Sequence, residues 1–92
     1  MRCNCSICKR RTVLLSDFVL SPEQLTIEDK NTTLKDYGFG TRVARHYFCT
    51  TCGILPFVQT RLNPGCYRVN LGCIQEMDIF KMEAIVYDGQ SI

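Results

Sequence analysis

Cys3-Asn4-Cys5-Ser6-Ile7-Cys8 opens the chain as C-x-C-x-x-C, and Phe48-Cys49-Thr50-Thr51-Cys52-Gly53 follows later as F-C-x-x-C-G. The two stretches hold five of the seven cysteines, and how they are read decides what fold surrounds them. Thiolates two or three residues apart converge on one soft cation. Zinc takes sulfur at about 2.3 Å, with four ligands where it is structural and three plus an open position where it is catalytic. In the second stretch Gly53 lets the chain turn with positive φ, which aims backbone N–H groups at the sulfurs. Disulfides are the competing use. Cysteines one residue apart make poor disulfide partners, and paired C-x-x-C clusters read as metal sites. The spacing points to a zinc protein with Cys3, Cys5, Cys8, Cys49 and Cys52 as candidate ligands.

Around these clusters the chain is short. Its 92 residues lie near the size at which a core needs help to hold a fold, and a structural metal supplies such help. Hydrophobic residues at 46% against 22% charged give a globular composition and exclude disorder. A net charge of +2 is too small to argue for nucleic acid. No apolar run is long enough to span a bilayer, and residues 1–12 lack the apolar core of a signal peptide. An odd cysteine count without an export signal favours a reducing compartment, with the cytoplasm as the expected location.

The remaining pattern is mainly β. Thr12–Leu15 and Phe18–Leu20 form an apolar stretch broken by Ser16-Asp17, and Ser21-Pro22-Glu23-Gln24-Leu25 reads as one helical turn with Ser at the N-cap. Leu25–Ile27 alternates, Asp29-Lys30-Asn31 marks a turn, and Leu34–Phe39 can pair back as a strand. Arg42–Phe48 leads into the Cys49–Gly53 knuckle and Ile54–Val58 leaves it, a hairpin with two thiols at its tip. Asn63-Pro64-Gly65 is a turn signal before the alternating Cys66–Leu71. Met77–Met82 reads as a loose turn or short helix, and Ala84–Tyr87 as a closing strand. Short strands with little helix imply an antiparallel sandwich or barrel-like sheet.

Several pieces match one known family in order and over nearly the whole chain: Cys3–Arg10, His46–Ile54, Asn63-Pro64-Gly65 with Tyr67 and Val69-Asn70, and Tyr87-Asp88-Gly89. On these residues the chain resembles the glutathione-dependent formaldehyde-activating enzyme family, which includes centromere protein V-like domains. The resemblance implies an Mss4-like fold of antiparallel β-sheets with a zinc knuckle. It also implies a carbon–sulfur lyase that combines formaldehyde with glutathione to give S-hydroxymethylglutathione. Family members usually begin with a further strand carrying an earlier C-x-C, which completes a structural zinc site with the C-x-x-C matched by Cys49 and Cys52. No such strand precedes Met1, so residues 1–92 are expected to be a single zinc-binding domain, shortened at its N-terminus.

Three pairings of thiols stay open. The resemblance implies a three-sulfur site of Cys3, Cys5 and Cys8 with a vacant position, leaving Cys49 and Cys52 as half of a structural site. Coordination alone also allows Cys5, Cys8, Cys49 and Cys52, a zinc-ribbon-like set. It allows Cys3 and Cys5 as well, which share a face if extended, together with Cys49 and Cys52. Cys66 and Cys73 lie in apolar strand contexts and read as small buried hydrophobes. His46, the single histidine, reads as a hydrogen-bonded strand residue before a ligand. Lys9, Arg10 and Arg11 form either a solvated basic face or an attractor for an anionic thiol compound.

Two functions follow from different classes. In one, an open three-thiolate site takes a substrate thiol, glutathione in the first instance, lowering its pKa and holding a nucleophilic sulfur. Lys9, Arg10, Arg11 or Arg45 would then orient its carboxylates, and no separate acid–base residue stands at a recognisable spacing. In the other, the chain is a non-catalytic zinc module that binds protein or nucleic acid, with Tyr37, Phe39, Tyr47 and Phe48 as a stacking surface; core packing accounts for these aromatics more simply. An uncovered sheet edge is expected to pair with a second copy, which would complete the half-site at Cys49 and Cys52. A monomer whose strands close over the gap is the alternative.

Overall fold

The structure, a computed structural model, describes residues 1–38, 44–61 and 63–91. Its elements in chain order are β1 (Arg2–Cys3), α1 (Ser6–Arg11), β2 (Leu34–Tyr37), β3 (Arg45–Cys49), β4 (Phe57–Gln59), β5 (Tyr67–Val69) and β6 (Val86–Tyr87). Short 3-10 turns cover Leu71–Cys73, Ile79–Lys81 and Gly89–Ser91. Two compact units are formed: Phe18–Val69, and Met1–Asp17 together with Asn70–Ile92.

The unit Phe18–Val69 is an antiparallel meander in the order β2-β3-β4-β5, as mainly β patterning with frequent turns predicts. Tyr47 lies opposite Phe57, and Phe57 opposite Val69. This register stacks Tyr47 and Phe57 with ring centroids 4.8 Å apart. Tyr67, diagonal to Phe57, meets it edge-on at 5.5 Å. Such ring pairs contribute about 0.5–1.5 kcal/mol beyond their buried area. On the other face His46 and Val58, also opposite one another, are both buried. Tyr47 therefore belongs to the packed sheet, while Tyr37 is exposed and Phe39 lies outside the described residues, as does Arg42.

Turn chemistry closes this sheet. The N–H of Cys66 donates to Asn63 O at 2.9 Å, and Gly65 takes φ +83, so Asn63-Pro64-Gly65 turns as its composition predicts. Asp29 accepts from the amides of Thr33 at 2.9 Å and Leu34 at 3.0 Å. These two amides hold its carboxyl below the usual range. Here the alternation of Leu25–Ile27 misleads: it forms no strand, and β2 pairs with β3 instead. Ile27 is exposed, so no buried face rewards that pairing. Ser21–Leu25 makes a single turn, in which the Ser21 N–H donates to the Gln24 side chain at 2.9 Å and the Gln24 N–H to Ser21 O at 3.0 Å.

In the other unit β1 and β6 pair in parallel, Arg2 with Val86 and Cys3 with Tyr87. The expected closing strand thus pairs with the first residues of the chain. Leu14, Leu15, Ser16 and Leu71 are buried; the Leu71 amide donates to Leu14 O at 2.9 Å, and the Leu15 amide to Met1 O at 2.9 Å. Of the apolar stretch before Ser16, Leu14 and Leu15 are buried while Thr12 is exposed, and it contributes a bridge, Leu15 to Asn70, in place of a full strand. Among the described residues no helix is long and apolar enough to cross a membrane.

Candidate metal centre

Cys3, Cys5 and Cys8 are brought together by a change of backbone conformation within six residues. Cys3 ends β1, and Cys5 caps α1 in an extended conformation with φ −63 and ψ 163. Residues i and i+2 of an extended segment project to one side. An N-cap side chain then faces the amide of the third helical residue, which here is Cys8; its N–H donates to Cys5 Sγ at 3.5 Å. The three Sγ atoms all lie within 4.8 Å of one another. A tetrahedral ion with Zn–S bonds of about 2.3 Å holds its sulfurs about 3.8 Å apart. Thiols this close need small adjustments to meet that geometry, and an all-sulfur donor set suits zinc. The residues fit the metal.

Burial sets the protonation of these thiols. Cys8 is buried and Cys3 half-buried. Burial, followed by the hydrogen bond and charge of Cys5, pushes the Cys8 thiol far above its ordinary value. Burial likewise raises Cys3, offset in part by the Cys5 amide. At Cys5 burial also acts upward, but the Cys8 amide, the thiols of Cys8 and Cys3 and the Ile7 amide outweigh it, and the thiol lies below its ordinary value. Cys5 is the thiol poised to ionise first.

The C-terminal segment builds one side of the site. Asn4, between two of the thiols, donates from Nδ2 to Asp88 at 3.2 Å and accepts from the Gln90 N–H at 3.1 Å. Its own N–H donates to Tyr87 O at 3.0 Å. Gly89 lies so near Cys3 that a Cβ there would collide with Cys3 Sγ. The sequence offered Tyr87-Asp88-Gly89 only as a matching motif; neither Asn4 nor Gly89 stood out as part of the site.

Cys49 and Cys52 sit at the tip of the β3–β4 hairpin. Gly53 has φ +80, its N–H donates to Cys49 O at 2.7 Å, and the Cys49 N–H donates to Ile54 O at 2.8 Å. This is the knuckle the F-C-x-x-C-G pattern predicts. The amides of Cys52 and Thr51, joined by the Cys52 thiol, lower the Cys49 thiol to about 7.

His46 is buried within the sheet. Cys66 is half-buried beside β5, but Cys73 is exposed at the end of a 3-10 turn, not buried in a strand. The Asn70 side chain accepts from the Gly72 N–H at 3.0 Å and turns the chain out of the alternation. Arg45 is engaged with Asp36 at 2.5 Å. Lys9 and Arg10 are exposed, and Arg11 half-buried. Arg10 donates to Ser6 O at 2.8 Å, while Arg11 Nη1 is buried without a hydrogen-bond partner among the described residues.

The family model described as glutathione-dependent formaldehyde-activating enzyme matches residues 1–90. A crystal structure of a Rhodobacter sphaeroides protein from a structural-genomics programme is similar at 34% identity with a TM-score of 0.82. That match covers 92% of this chain and 76% of the other.

Proposed function

The chain belongs to the glutathione-dependent formaldehyde-activating enzyme family, and from that membership we propose that it is a zinc-dependent carbon–sulfur lyase acting on a glutathione–formaldehyde adduct. The observation that carries the reading is the convergence of the Cys3, Cys5 and Cys8 sulfurs within 4.8 Å, three soft ligands on one small scaffold. Cys49 and Cys52 would supply half of the ligands of a second, structural zinc position. When bound at the first cluster with a position open, zinc supplies Lewis acidity that lowers the pKa of an incoming thiol.

The chain's own residues prepare that site. Cys5, the thiol held lowest of the three, would ligate first, and Cys3 and Cys8, raised by burial, would give up their protons on ligation. The buried Cys8 anchors the cluster from inside the fold. Arg11 offers a buried guanidinium nitrogen with no acceptor among the described residues, which suits a carboxylate of an anionic thiol; Lys9 and Arg10 add positive charge beside it. These three also complement the C-terminal end of α1.

Zinc counting by native mass spectrometry with elemental analysis, followed by a glutathione titration of the loaded protein, tests the reading. Zinc content that falls in Cys5→Ser, with glutathione binding lost alongside it, is the expected result. A fully loaded protein indifferent to glutathione and formaldehyde contradicts the lyase assignment. It favours the binding-module alternative, toward which the 93% exposed Phe80 and the exposed Ile85 and Val86 point.

A further inference from the structure

Asn4 is flanked by two thiols of the cluster and makes three hydrogen bonds to one short segment at the other end of the chain. Its amide nitrogen donates to Asp88 Oδ1 (3.2 Å), its amide oxygen accepts from the Gln90 N–H (3.1 Å), and its backbone N–H donates to Tyr87 O (3.0 Å). The β1–β6 pair sets Cys3 directly beside Tyr87. Between these ties lies Gly89. Its φ is not in the left-handed region, where Gly53 and Gly65 are found, so backbone conformation does not demand glycine there. Space does. A Cβ at Gly89 would overlap Cys3 Sγ, stand 3.0 Å from Cys5 Cβ and lie 3.4 Å from the Cys5 nitrogen.

We infer that Asn4, Asp88 and Gly89 form a clip through which the C-terminal segment sets the spacing of the three thiols, and that they are positioning residues for the metal centre. The inference rests on the zinc site proposed above and deepens it. Any side chain at residue 89 must either rotate the Cys3 thiol out of the cluster or lift the segment off Asn4. Either movement separates sulfurs that now lie within 4.8 Å. Breaking the Asn4–Asp88 bond frees the loop that joins Cys3 to Cys5 and has the same consequence by a second route. Groups that orient metal ligands typically account for about ten- to a hundredfold in affinity.

The test is zinc affinity by chelator competition, with the absorption bands of the cobalt(II)-loaded protein as a report on ligand geometry. Gly89→Ala and Asn4→Asp are each expected to weaken zinc binding about ten- to a hundredfold and to alter the cobalt bands. Asn4→Asp places two carboxylates together; adding Asp88→Asn restores a donor–acceptor pair of reversed polarity. The double variant is therefore expected to recover binding to within about threefold of wild type. Gln90→Ala keeps the backbone N–H that Asn4 uses and is expected to bind as wild type does. Single variants that match wild type overturn the clip, as does a double variant no tighter than Asn4→Asp. The swapped pair keeps the question open to test if Gly89→Ala does not fold. A wild-type chain that takes up no zinc defeats the proposed metal centre and the clip together, whereas a loaded wild type with indifferent variants defeats the clip alone.

Discussion

The two cysteine clusters share the C-x-x-C spacing, yet the fold gives them different surroundings. Cys5 and Cys8 span the start of a helix, with Cys3 added from β1; burial raises the Cys3 and Cys8 thiols, while the Cys8 amide helps to lower Cys5. Cys49 and Cys52 span the tip of a hairpin, where the Cys52 and Thr51 amides bring Cys49 down to about 7. Spacing decides that two thiols can meet. Amide contact lowers Cys5 and Cys49, and burial raises Cys3 and Cys8.

The comparison breaks most visibly at its most buried member. Cys8→Ser is expected to lower zinc affinity at the first cluster by more than about a hundredfold, read by chelator competition. It should also lose roughly 1–3 kcal/mol of stability in urea melts, because a hydroxyl replaces a buried thiol. Next comes the knuckle: Cys49→Ser and Cys52→Ser are expected to lower the melting temperature of the loaded protein, since a structural ligand couples metal to folding. An unchanged melting temperature in both would remove these thiols from the structural role.

Protonation separates Cys3 and Cys8 from Cys49 without mutation. In the metal-free chain the depressed Cys49 stabilises the fold above the ordinary thiol range, and this contribution is lost as pH falls through about 7. Cys3 and Cys8, raised by burial, contribute below the ordinary thiol value and lose that contribution as pH rises beyond it. Metal-free stability is therefore expected to climb from about pH 7 to about pH 9 and fall above it. At pH 7 iodoacetamide should modify Cys49 well before Cys8, with peptide mass mapping as the readout. The smallest effect is expected at Gly53→Ala. A Cβ there meets nothing within 4 Å, so its penalty comes from φ +80 and is about 1 kcal/mol in urea melts.

The thiol spacing and the turns behind this contrast were legible in the residues, and the reasons are local. Thiol spacing, the Gly53 turn and Asn63-Pro64-Gly65 act within a few residues, and each appears where the sequence put it. The antiparallel hairpin around the knuckle was legible for the same reason. Helix α1 was not: Ser6–Arg11 is too short to show a hydrophobic period, and its cap is a cysteine. Nor was the β1–β6 pairing, two residues against two with no alternation to read. The role of Asn4 and Gly89 is not readable in the sequence because it exists only once distant segments meet, 84 residues apart for Asn4 and Asp88. The signals available were the Asn inside C-x-C and the closing Tyr87-Asp88-Gly89.

On the reading proposed above, Cys3, Cys5 and Cys8 hold zinc as a site of their own. Zinc per chain, counted by native mass spectrometry in two double variants, tests it most directly. The Cys49→Ser/Cys52→Ser variant is expected to keep about one zinc, and Cys3→Ser/Cys8→Ser to lose that ion while sparing any held by the knuckle. A Cys49→Ser/Cys52→Ser chain that folds, as judged by circular dichroism, but carries no zinc would contradict the claim and assign both clusters to one shared ion.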